Sequence, residues 1–419
     1  ASYSDLNEDI DVYMGDQYYY LYEAQWKTSG GGFSWNEGNH SDITYSTIGS
    51  NPTLDFIHRK EYSVSLRGSF FNRLISADLT FFNSDMDGFI IQNPSMFPSH
   101  LSGGINGSSF KPAINNNIQN RKGIDFSVTA QKQLGKVHAT LGVVGSYVKT
   151  KYKKYDEIVE WDNLRVEGHA IDAIRGYNCL GFYTYDDFDK NETTGKLTLK
   201  SDLPTPKIGG TIQPGDLKYQ DFNGNNVIDS KDMTPSTYTM IPELIPTINL
   251  GFEWKGFDAH MIVNAYLRRS VFLSPAISFS GWGNQGTHEV TKAWGYYTDD
   301  PTDPRNVNAT YPRPVWGGFN TIDSDRGGGY TDGELATYMN DIWIKSGNYW
   351  SIRNIEVGYS LPQNWIKKLW MTKCRIYFSA YNVATFSDLP DGVDPEKPMS
   401  YCWWYPKTRS YTFGINIGF

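Results

Sequence analysis

No stretch of the chain approaches the roughly 18 apolar residues that a membrane-spanning helix needs, so helical insertion is excluded. A transmembrane barrel is not, because its strands alternate and average out as polar. Lys/Arg runs are missing too, and 38 basic residues stand against 46 acidic ones, a net charge of −8. A polyanionic backbone would find no basic footprint here, which sets nucleic acid aside. Cysteine is scarce. Cys179, Cys374 and Cys402 are too few and too scattered for a disulfide framework or a paired metal site. No charged-then-apolar leader opens the chain at Ala1, and the expectation is that the natural beginning lies upstream. Enzyme signatures such as HExxH, GxSxG, a phosphate-binding loop or GxGxxG do not occur, and the seven His stand far apart, so no catalytic residues are assigned.

What the chain does have is aromatic residues and alternation. It carries 13 Trp, 29 Tyr and 22 Phe at a mean hydropathy of −0.50, a combination suited to surfaces wet on one side and dry on the other. Period-2 runs recur at the length of a membrane strand, about 9–11 residues. Tyr62, Val64, Leu66 and Phe70 oppose Ser63, Ser65, Arg67 and Ser69. Further runs start at Ile75, Ile124 and Val137, then at Ile248, Phe257 and Ile355, with two more over 374–384 and 410–419. A Tyr-rich run near 17–28 makes the expected total about ten.

Connector lengths alternate. Short ones, 71–72, 132–136, 255–256 and 362–373, interleave with long ones, 83–122, 149–246, 268–350 and 385–409. A transmembrane barrel has short turns at its periplasmic rim and long loops outside, so parity predicts 149–246 and 268–350 as extracellular and the C-terminus as periplasmic. The last strand alternates Tyr411, Phe413, Ile415, Ile417 and Phe419 against Thr412, Gly414, Asn416 and Gly418, as expected of a lipid face backed by a wet lumen. The fold class read from this pattern is all-β, an antiparallel membrane barrel. A soluble carbohydrate-binding β-protein and a passive porin stay open as alternatives.

One cation site is readable. Counting Asp221 as position 1, oxygen donors fall at Asp221, Asn223, Asn225, Asp229 and Asp232 with the Val227 carbonyl at position 7, the spacing of a calcium loop for Ca2+ or Mg2+. An Asx-rich turn bonded to its own backbone is the other reading. Substrate contacts are expected from loop aromatics, whose rings stack on the C–H faces of sugars: Trp282, Trp294, Tyr296, Tyr297, Trp316, Trp403 and Trp404. The same rings would also serve to pack loops or to form an interfacial girdle.

Several segments resemble the SusC/RagA family of TonB-linked outer-membrane transporters. Asn51-Pro-Thr-Leu-Asp-Phe with Phe71-Asn-Arg-Leu74 is similar to its "NP-x-L-x-W … FNNRL", and Asn120-Arg-Lys-Gly-Ile124 to its "N-x-K-G-(V/I)-E", with Asp125 in place of Glu. The segment from Pro214 to Asp229 resembles "PGDIKYKDVNGDGVID", and Lys255-Gly-Phe-Asp258 resembles "YKGFDL". Asn354 to Pro362, Arg375 to Asn382 and Tyr411 to Asn416 are similar to the family's closing strands. The resemblance implies about ten strands of a barrel of about 22 strands, with the plug and N-terminal strands absent from residues 1–419. It also implies a SusD-like surface lipoprotein, the TonB complex acting through the absent part, and inward movement of oligosaccharides or peptides.

Overall fold

The structure is a computed structural model. It describes residues 1–8, 25–29, 34–36, 39–40, 43–92, 94–102, 109–207, 212–273, 297–298, 300, 302–310, 312, 340–391, 393–397 and 407–419.

Among the described residues ten strands form one antiparallel sheet in chain order. They are β1 (Ser2–Glu8), β2 (Ile57–Phe70), β3 (Ile75–Ile91), β4 (Ile114–Leu134), β5 (Val137–Lys154), β6 (Leu244–Trp254), β7 (Phe257–Tyr266), β8 (Tyr349–Ser360), β9 (Lys373–Ser387) and β10 (Ser410–Gly418). Every strand pairs with its neighbour in sequence, which is the order that alternating short and long connectors produce. Among the described residues no helix is long and apolar enough to cross a membrane, which says nothing of strands.

The register keeps one face apolar across the sheet. Phe413 opposes Phe378, which opposes Val357 and then Ala259 and Phe252. Ile415 opposes Ile376, and in the first strands Leu66 opposes Leu79, which opposes Phe126. A one-residue slip in any pair would turn this set to the other face, so the pattern itself fixes the register. Phe413 is 82% exposed and Leu66 58%, which for a soluble sheet would mean an aggregating surface. In a bilayer this face has a solvent. The opposite face carries cross-strand polar pairs: Ser65 with Thr80 (2.9 Å), Ser69 with Ser76 (3.1 Å), and the Arg67 guanidinium donating to Asp78 at 2.5 Å.

Aromatic residues mark the two rims of the apolar belt. At the end of the short turns stand Phe70, Trp254, Phe257 and Tyr359, with Phe257 and Tyr359 rings 4.4 Å apart. Trp365 and Trp370 project there from the short helical turn Gln363–Ile366 and the residues after it. Toward the other end Trp350 stacks on Phe386 at 4.1 Å. On β8 the belt therefore runs from Trp350 to Tyr359, the length of about ten residues that a tilted strand needs to cross hydrocarbon.

Two sequence expectations shift. The described part of the run at 17–28 does not join the wall. Gln25–Ser29 pairs with Ile43–Gly49 in a separate three-stranded sheet, and residues 17–24 lie outside the described residues. The tenth wall strand is Ser2–Glu8, whose Tyr3 ring lies 4.8 Å from Tyr62. Below Tyr3 its pairs are polar, Asp5 with Lys60 and Asn7 with His58, so it has no apolar period to read. Strands β3, β4 and β5 also run longer than expected, which shortens the 83–122 connector to 92–113. Beyond the belt both faces are wet, so alternation stops while backbone pairing continues.

Candidate functional site: the polar face and the loop end of the sheet

The polar face is organised by charge. Arg375 on β9 reaches across β8 to Asp258 on β7, its Nε donating to Oδ2 at 3.0 Å and its Nη2 to Oδ1, while Nη2 also donates to Glu356 at 2.8 Å. Gly358 sits under this arm. A Cβ there would collide with the Arg375 guanidinium, and a Cβ on Gly414 would collide with the Tyr377 ring. Two glycines thus let long side chains lie flat along the wall instead of projecting from it.

Farther toward the long connectors the ladder is broken on purpose. The β8–β9 register shifts between Ile352 and Asn354, and Asn382 takes a left-handed φ of 53°. Such a bulge re-aims a side chain. Here it turns Arg353 onto Glu396, which lies in the last long connector, with Asn382 Oδ1 accepting a second bond from Arg353 at 3.3 Å. Lys407 pairs with the same carboxylate at 2.6 Å. Tyr349, stacked on Tyr266 at 4.9 Å, bonds the same carboxylate, so this connector folds back over the wall. Burial would raise the Glu396 pKa, but the two cations hold it below the ordinary carboxylate range.

Above this end the connectors 155–243 and 267–348 pack together around Tyr177, Leu217, Tyr219, Ile228 and Met233, joined by Phe182 and Ile342. Asn340 donates to the Tyr219 hydroxyl at 3.3 Å, and the Cys179 N–H donates to Asp341 at 2.9 Å. Burial, with Asp341 adding to it, pushes the Cys179 thiol pKa well up, so the thiol stays protonated and unreactive. Between the two connectors opens a polar cavity of about 440 Å³, lined by Tyr177, Asn178, Ser236, Arg269, Asp341 and Lys345 among others.

The sequence-predicted sites fall in different places. Trp282, Trp294, Tyr296, Trp316, Trp403 and Trp404 lie outside the described residues. Tyr297 is 6% exposed with its ring 6.0 Å from Phe182, a contact between the two long connectors, and burial raises its phenol pKa. In the 221–232 loop, Asp221 accepts from the amides of Gly224 and Asn226, both at 2.8 Å. Asn223 and Asn225 each accept from the amide two residues on, and Asp229 accepts from Lys231. Fully buried Asp232 accepts from Phe222 and Asp229. These oxygens accept backbone amides of their own loop, as Asx turns do. Among the described residues no group of three or more His, Cys, Asp or Glu is arranged to hold a metal. Sequence reasoning missed Arg375, Arg353 and the cavity cations, because strand-end cations carry no motif of their own.

No family model matches the chain. It is 24% identical over 271 residues to the TonB-dependent receptor P3 of Formosa agariphila, covering 60% of this chain and 22% of that protein. It is 20% identical over 402 residues to the TonB-dependent receptor P26 of the same organism, covering 88% and 35%. The chain thus spans between about a fifth and about a third of these relatives. Among solved structures it is similar to the RagAB peptide importer in the open-open state, at a TM-score of 0.59 and 15% identity, over 96% of this chain and 38% of that one. The ten-stranded wall and these likenesses give the chain the fold of one part of a transmembrane β-barrel, and the curated relatives it matches are TonB-dependent receptors. In particular, that fold is shared with the RagAB structures.

Proposed function

We propose that this chain is the C-terminal part of the barrel of a SusC-like importer, moving oligosaccharides or peptides into the periplasm and catalysing no reaction. The observation that carries this reading is the sheet itself: one continuous apolar face bounded by aromatic rims, one polar face with fixed charges, and connectors gathered by length at opposite ends. A passive porin has no use for connectors as long as 155–243, and a soluble binder would not leave Phe413 and Ile415 bare.

In this proposal the wall excludes lipid, the polar face lines the passage, and the long connectors form part of an outer chamber. The plug and the remaining strands are supplied from outside residues 1–419, since two open sheet edges in hydrocarbon would leave unpaired backbone groups costing several kcal/mol each. Energy comes through a TonB complex acting on that part. A SusD-like lipoprotein covers the mouth, and the C-terminus faces the periplasm. A Ca2+ or Mg2+ ion in the 221–232 loop would be structural, using lone pairs that the Asx turns leave over.

Labelling of single cysteines on intact cells tests the orientation. Exposed positions Lys190 and Asn225 should react with an impermeant reagent and Asn364 should not. The reverse pattern would overturn the reading.

A further inference from the structure

We infer that the cavity between the two long connectors is an anion subsite, built to take a carboxylate on the transported molecule through Arg269 and Lys345. The inference rests on the importer reading for its biological role and on geometry for its chemistry.

Both cations stand on one face of one ribbon. Ser270–Phe272 pairs antiparallel with Ile344–Ser346, setting Val271 opposite Lys345. The Gly347 N–H donates to the Arg269 carbonyl at 2.9 Å, so Gly347 faces Arg269 one step along. Positions 269, 271, 345 and 347 therefore share a face, and the two cationic side chains are diagonal neighbours on it. Gly347 makes the room: a Cβ there would lie 3.0 Å from both Cγ and Nε of Arg269. On its other side the guanidinium lies over the Tyr349 ring, 6.0 Å from the centroid. The arm is positioned before any ligand arrives.

Its bonding is incomplete. Arg269 Nε is buried and, among the described residues, donates to nothing. A buried charged N–H without an acceptor is costly, and a bound anion would relieve that cost. Two nearby carboxylates have other cations to hold. Glu396 holds Arg353 and Lys407, Glu243 holds Arg268 at 2.7 Å, and Asp341 accepts the Cys179 amide. Burial depresses the Lys345 pKa although Asp341 opposes the shift. The remaining lining mixes apolar Pro235 and Ile344 with neutral polar side chains, among them Asn178, Ser236, Thr237 and Asn348, able to meet hydroxyls or amides. At about 440 Å³ the cavity has the size of a small-ligand pocket and would seat one residue or one sugar unit of a longer chain.

A carboxylate reaches such a pocket on an acidic peptide or on a uronic-acid oligosaccharide. The test uses the complete transporter purified from native outer membrane, with binding read by calorimetry. Triglutamate is compared with triglutamine, and trigalacturonate with maltotriose. The expected result is at least about a tenfold preference for the acid in one pair, weakened by added salt. Arg269→Gln and Lys345→Gln should each lower the acid's affinity several-fold and leave its neutral counterpart unchanged. Arg269→Lys, which keeps the charge, should retain part of the preference and guards against misfolding. Whichever pair shows the preference names the source of the carboxylate. No preference in either pair, or a preference that survives the double Gln variant, would overturn the subsite. Binding preference without uptake of any probe would instead count against import and leave the subsite standing.

Discussion

Ile415→Asp, set beside Asn416→Asp, separates the two faces of the wall with a single residue step. Ile415 is 61% exposed near the middle of β10, and its cross-strand partner Ile376 is 46% exposed on the same face. On the proposed reading that face meets hydrocarbon, and among the described residues the side chain opposite is the apolar Ile376. A charge at the bilayer midplane costs about 2–4 kcal/mol for Lys or Arg and less for Asp, so about 2 kcal/mol is expected here. That corresponds to roughly a 30-fold loss in the folded-to-unfolded ratio. Asn416, by contrast, lies directly opposite Arg375 on the polar face, so a new carboxylate there gains a cationic neighbour and should cost close to nothing. The assay is the fraction of protein recovered from outer membranes as the urea-resistant folded form, with Phe413→Asp as a second lipid-face variant. Equal recovery of the three variants, or a worse result for Asn416→Asp, would refute the assignment of faces.

Gly358→Val should break the Arg375 arm away from Asp258 and lower the urea midpoint by the equivalent of about 1–3 kcal/mol, the usual cost of overpacking; a variant as stable as the parent would show that the arm has other room. Asp232→Ala removes the acceptor for three loop amides and should open residues 221–232 to hydrogen exchange by about 2 kcal/mol. Excess Ca2+ should protect this loop in the parent protein, and exchange unchanged by Ca2+ would remove the proposed ion and keep the turn. Asp187 gives a pH dependence. Burial alone would raise its pKa, but the Thr184 amide at 2.8 Å and Lys218 at 3.0 Å bring it below the ordinary carboxylate value. A lowered folded pKa contributes stability that is present above the unfolded pKa and lost as pH falls through the folded value. Exchange protection around Thr184–Lys190 should therefore hold at neutral pH and drop only on acidification below the usual carboxylate range. Lys218→Met should move that drop to higher pH, and a drop that does not move would mean Lys218 contributes nothing.

Nine of the ten wall strands were legible in the sequence because a bilayer imposes a strict rule. Where one face meets hydrocarbon and the other meets water, side chains must alternate, and Tyr62 to Phe70 or Tyr411 to Phe419 carry that alternation openly. Connector lengths gave the order of pairing for the same reason, since neighbours in sequence close the shortest hydrogen-bonded route. Where the bilayer exerts no such demand, the sequence fell silent. Ser2–Glu8 joins the wall with mostly polar pairs, and the outer ends of β3 to β5 extend on backbone bonds that any side chain permits. Spacing placed oxygen donors at Asp221, Asn223, Asn225, Asp229 and Asp232, but only the folded loop decided which of them spend lone pairs on backbone amides. Long-range juxtaposition was the least visible of all. Arg269 and Lys345 line one cavity because two distant short strands pair in one register, and Arg375 reaches Asp258 because a glycine on the strand between them leaves the space. Both arrangements depend on which residues face each other across the sheet, and that is decided by pairing rather than by local propensity.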